Sequence, residues 1–161
     1  MSESDQTDAD APNAEHRRPD GLDDATVEAL GKLSEALEAV EIARGHLYSF
    51  HKQSGTADLQ LGEAVEQLRR AGHGDLADDL DARLVGRNVI EGRWTFQLVE
   101  EYDDTYWSLF RALEQRARDE LSGGRRHLFE AEMKEDERSA GRPGHLAAPH
   151  DDSAQQAGPP A

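Results

Sequence analysis

The sequence predicts an all-α fold, and three observations carry the prediction. Val, Ile and Thr together number only 13 of 161 residues, which leaves little material for strands. Apolar side chains recur at spacings of three and four over long stretches, the period of an amphipathic helix. Glycine clusters at 72–74 and 123–124 punctuate those stretches where helices would stop.

The first helix is expected from Asp24, with Asp23 or Asp24 as its cap. Leu30, Leu33, Leu37, Val40, Ala43, Leu47 and Phe50 form one stripe along it. Ser54-Gly55-Thr56 then reads as a C-terminal glycine followed by a new N-cap, so this helix is predicted to end near Lys52. A second helix follows from about Ala57 to Ala71, with Leu61, Ala64, Val65 and Leu68 inward. A third, Asp75 to Val85, is expected to bury Leu76, Leu80 and Leu84. Residues 87–93 read as a loop. Thr95 opens a second long helix carrying Val99, Tyr102, Tyr106, Leu109 or Phe110, Leu113, Ala117 and Leu121, ended by Ser122-Gly123-Gly124. A last amphipathic helix, from about Arg125 to Arg138, offers Leu128, Phe129 and Met133.

Two long helices of near 30 residues with two to three short ones predict a helical bundle or an extended helical hairpin. Of the 29 Leu, Ile, Val and Phe residues, 27 lie between Asp24 and Glu137. This concentration predicts a single helical domain over 24–138, flanked by a disordered acidic tail at 1–23 and a disordered low-complexity tail at 139–161. The apolar set is thin for that domain, so part of the stripe should stay uncovered and favour self-association.

The chain holds 34 acids against 18 bases, a net charge of −16, most of it within 24–138. Such a surface repels phosphate backbones and argues against direct nucleic-acid binding. No stretch is apolar enough to span a bilayer, there is no cysteine for a disulfide, and the acidic start lacks the features of a secretory signal. Absence of membrane association and a cytoplasmic location are the expectations. His-Glu-x-x-His, Gly-x-Ser-x-Gly, phosphate-loop and calcium-loop patterns are all missing. The 72–85 segment, which imitates a helix-turn-helix, has four Asp where a groove-reading helix needs bases.

Residues 94–110 are the most distinctive stretch, with six of the nine aromatics and four acids. Trp94, Glu100, Tyr102, Asp104, Tyr106 and Trp107, together with His46 and His51 from the first helix, form the candidate pocket or interaction patch. Phenols and carboxylates there could shuttle a proton, hold a cation or receive basic groups of a partner. Alternatively the rings are core and the acids pair with Arg83, Arg87, Arg93, Arg125 or Arg126. His127 and Glu130 run opposite to the Glu-x-x-His order of di-iron bundles, so no metal and no cofactor are expected. Gly124, Arg125, Arg126 and His127 at a helix start form a candidate anion site, or else a plain turn.

At Gly45–His51, Leu84–Ile90, Gly92–Gln97, Glu100–Asp104 and Gly124–His127 the chain resembles a family of small uncharacterised actinobacterial proteins. The resemblance covers roughly residues 22–145 and implies a cytoplasmic bacterial protein, with no activity to transfer.

The resulting expectation is a non-enzymatic protein-interaction or scaffolding module that self-associates or meets a protein partner. The alternatives are a ligand- or metal-binding enzyme with a His/Tyr/carboxylate pocket, and an acidic nucleic-acid mimic that binds a basic protein.

Overall fold

The computed structural model describes residues 12–148. Among them the regular elements are helices α1 (Asp24–Arg70), α2 (Gly74–Arg83), α3 (Thr95–Glu101), α4 (Ser108–Ser122) and α5 (Leu128–Glu137), plus a short 3-10 turn at Ala14–His16. A π-helical turn, Tyr102–Trp107, joins α3 to α4 without a break. No strand occurs among the described residues, where the one extended pairing is an isolated bridge between Ile90 and Arg93. The fold is all-α. Of the tails expected at 1–23 and 139–161, residues 1–11 and 149–161 lie outside the described residues.

Helix α1 corrects one expectation, because it runs 47 residues through the predicted break at 54–56. Ser54 Oγ donates to the Phe50 carbonyl at 2.8 Å and Thr56 Oγ1 to that of Lys52 at 3.1 Å. Both hydroxyls thus bond backward by one helical turn instead of capping a new helix. Without a proline, Gly55 alone costs only about 1 kcal/mol, too little to stop a helix that packs along its length. Asp23 is the N-cap, its Oδ1 accepting the Thr26 N–H at 2.8 Å. At the other end Gly72 sits at φ 87°, with His73 N–H donating to Leu68 O and Gly72 N–H to Arg69 O, the paired bonds of a Schellman stop.

Packing divides the chain into two units, one of residues up to Glu35 and from Glu114 onward, the other Ala36–Leu113. In the first unit Val27 and Leu128 are buried, and Phe129 lies so close to Gly31 that a Cβ there would meet it at 3.1 Å. Beside them sits a polar row on α4, Glu114, Arg118 and Ser122, at 1%, 8% and 0% exposure. Arg118 donates to Glu114, and Ser34 Oγ of α1 donates to Glu114 Oε1 at 3.1 Å. Residues 12–23, assigned by composition to the N-terminal tail, are bonded into this unit. Arg18 holds Glu132 through two 2.8 Å bonds and also reaches Asp24, while Arg125 donates to the Arg17 carbonyl at 2.6 Å.

In the second unit α1 runs antiparallel to the helix of residues 95–113, since His51 meets Thr95 while Val40 and Arg44 meet Tyr102 and Asp103. Val40, Val65, Ala77 and Val99 form the buried apolar set. Helix α2 presents Ala77 inward and leaves Leu76 and Leu84, expected inside, at 54% and 48% exposure. Arg69 binds Asp78 and Asp81 at 3.0 and 2.8 Å, tying α2 back to α1, and Gly86 N–H donates to Asp58 at 2.7 Å.

Candidate functional site

The aromatic and acidic stretch folds into the second unit as two different surfaces. On one flank the Arg44 guanidinium grips Asp103 bidentately, Nε to Oδ1 at 2.7 Å and Nη2 to Oδ2 at 2.8 Å. Tyr48 OH adds a third bond to Asp103 at 3.2 Å. The same guanidinium lies 4.3 Å from the Trp107 ring centroid and 4.9 Å from that of Tyr48, and Arg111 covers Trp107 at 4.7 Å. Cations and rings therefore alternate along one side of the helix pair. The Arg44 bonds, with a smaller contribution from Tyr48, hold the Asp103 carboxyl below the usual range.

On the other flank Tyr102 and Tyr106 meet at a 55° tilt with centroids 5.5 Å apart, and Tyr106 meets Phe110 edge-on at 6.0 Å. Tyr102 OH donates to the Val40 carbonyl at 3.3 Å. Burial, reinforced by Tyr106, Glu41 and Asp103, raises the Tyr102 phenol above its ordinary value and keeps it a neutral donor. Tyr106, Leu109 and Leu113 stay 51%, 57% and 49% exposed at spacings of three and four. On α1, Ala36, Ala39 and Ala43 are exposed on the side away from Tyr48, by 100° per residue. The antiparallel register that sets Val40 against Tyr102 puts Ala36 about level with Tyr106, and Ala39 and Ala43 level with the turns before it.

Of the other expected patch members, Trp94 is 59% exposed and packs on Phe96 at 5.3 Å. His51 shares a 2.8 Å hydrogen bond with Thr95 Oγ1. His46, Glu100 and Asp104 are exposed on the surface. Trp107 is half-buried, its indole N–H without an acceptor among the described residues. Glu101 pairs with Arg93, one of the arginines expected to answer these acids, whereas Asp103 takes Arg44 instead. No cluster of three or more His, Cys, Asp or Glu that could hold a metal occurs among the described residues. The expected patch left out Arg44, Tyr48 and Arg111, and counted Asp103 among the acids of the stretch without giving it a role. Only the antiparallel register, which places position 44 opposite 103, could have joined Arg44 and Tyr48 to Asp103.

Gly124, Arg125, Arg126 and His127 belong to the first unit. Gly123, Gly124 and His127 all adopt positive φ, 62°, 77° and 57°, so the chain turns through them and α5 starts only at Leu128, three residues later than expected. The four candidate residues line an open groove of about 490 Å³ together with Glu15 and His16. No helix is long and apolar enough to cross a membrane among the described residues. No family model, curated protein or solved structure matches the chain.

Proposed function

We propose that this chain is a non-enzymatic interaction module that pairs with a second copy of itself through the exposed Tyr106–Leu109–Leu113 row of the second unit. The supporting observation is the row Tyr106, Leu109 and Leu113, about half exposed in a chain with 32% charged residues. A two-fold interface sets the same patch against itself. Here the patch is the ridge of Tyr106, Leu109 and Leu113, which packs against the same ridge of the other copy. Burying the row removes apolar area from water at roughly 25 cal/mol per Å², while the acidic remainder stays solvated and resists further aggregation. The Arg44–Asp103 clamp on the opposite flank holds the two helices in the register that presents the face.

Light scattering on the full-length chain tests this reading. The wild type should run as a dimer, and Leu109→Glu with Leu113→Glu should run as a monomer with an unchanged circular-dichroism spectrum. A monomeric wild type at high micromolar concentration rules the reading out.

A further inference from the structure

The groove at Gly124–His127 plays no part in the self-association face, and its chemistry is different. A small hollow of about 20 Å³ shares residues with it, walled on one side by Val27, Leu30 and Gly31 and on the other by Ser34, Arg118, Arg125, His127 and the first turn of α5. Arg125 and His127 line both spaces. Roughly 10–15 Å³ suffices for one water-sized atom.

The polar side of the hollow presents donors, against an apolar wall. Arg118 is 8% exposed and its Nε–H has no partner among the described residues, because its bonds to Glu114 and Gln115 use Nη1 and Nη2. Helix α5 has no side-chain cap, and first-turn N–H groups have no intrahelical acceptor. In the adjoining groove neither Arg125 nor Arg126 has a carboxylate partner among the described residues, although acids outnumber bases 34 to 18 in the chain. Glu15 in the groove and Glu130 in the hollow are the anionic side chains that line them.

We infer that this site binds a phosphate group. One oxygen occupies the hollow and accepts from Arg118 Nε–H and the α5 terminus, and the others face Arg125 and Arg126 in the groove. Guanidinium forks match the paired oxygens of an oxyanion, and a groove of about 490 Å³ exceeds what a halide or a single water needs. Free phosphate and a phosphate monoester share this chemistry, and the groove leaves room for the organic part of an ester.

The test titrates inorganic phosphate, and separately glycerol 3-phosphate, into the full-length chain by calorimetry, with ionic strength held constant by sodium chloride. At least one probe should saturate. Tighter binding of the ester assigns the site to phosphate esters, and equal or weaker binding assigns it to free phosphate. Arg126→Gln, a surface change, should weaken binding on the order of ten-fold, as loss of a charged hydrogen bond does. Arg118→Lys keeps the charge beside Glu114 but removes Nε–H, and should weaken binding similarly. If Arg118→Lys does not fold, Arg126→Gln decides alone. Absence of saturation by both probes, or binding by Arg126→Gln equal to wild type, overturns the assignment. The dimer-breaking Leu109→Glu, Leu113→Glu chain should bind phosphate as the wild type does, which separates this site from the proposed function.

Discussion

Replacing Arg118 with methionine leaves the Glu114 carboxylate, 1% exposed, without its countercharge in the interior of the first unit. Ser34 Oγ at 3.1 Å remains as a donor to Oε1, and Oε2 has no partner among the described residues. One neutral hydrogen bond, worth about 1 kcal/mol, does not offset the desolvation of a buried charge. Removing one member of such a pair costs about 3–5 kcal/mol, a large share of the roughly 5–15 kcal/mol that holds a domain together. Replacing both members, Glu114→Leu with Arg118→Met, removes the charge and its penalty together. The double variant should therefore be close to wild type, or more stable by about 1–4 kcal/mol. Urea unfolding followed by circular dichroism measures this. The single variant should lower the midpoint on the order of 1–3 M, and the double variant should recover it. A loss below about 1 kcal/mol for Arg118→Met would mean that Glu114 is hydrated in solution. A double variant as weak as the single would refute the reasoning about the unpaired charge.

Other outcomes follow from single positions. Gly55→Ala should stabilise by about 1 kcal/mol in thermal unfolding, because α1 is unbroken there and the added methyl meets open space; destabilisation would restore the break near 54–56. Gly31→Ala gains the same propensity, but its Cβ meets Phe129 at 3.1 Å, so in thermal unfolding it should be less stable than Gly55→Ala by about 1–3 kcal/mol. Asp23→Ala should cost about 1 kcal/mol as a lost N-cap. Thr26 bonding depresses Asp23, and Arg44 with Tyr48 depresses Asp103. A folded pKa below the unfolded value contributes stability above the unfolded carboxylate range, and that contribution is lost as pH falls through the folded value. Stability should accordingly decline below about pH 4. In Asp103→Asn the acid-side decline measured by denaturant titration should be shallower.

Much of the helical skeleton was legible because local signals and tertiary packing agree. The Schellman glycine at 72, the Asp23 cap and the glycine pair at 123–124 are backbone punctuation that needs no partner to operate. Ser54-Gly55-Thr56 misled because a hydroxyl can cap forward or bond backward, and which it does depends on whether packing continues the helix. Helix α2 misled in another way: its leucine period is clear, yet Ala77 is the residue it buries fully, at 0% exposure, while Leu76 stays 54% exposed. The aromatic stretch was visible from composition. Its division into an Arg44–Trp107–Arg111 flank and a Tyr106–Leu113 flank was not, because the π turn at 102–107 alters the angle between successive side chains. Glu114 and Arg118 could be recognised as an i, i+4 pair, but nothing in their spacing separates a solvated pair from a buried one.

The most direct check on the Tyr106–Leu109–Leu113 row as an interface is sedimentation equilibrium of the full-length chain across micromolar concentrations. A mass twice the 17.8 kDa of one chain, falling to one chain when Leu109 and Leu113 become glutamate, is the predicted result. A single-chain mass for the wild type throughout that range would contradict it.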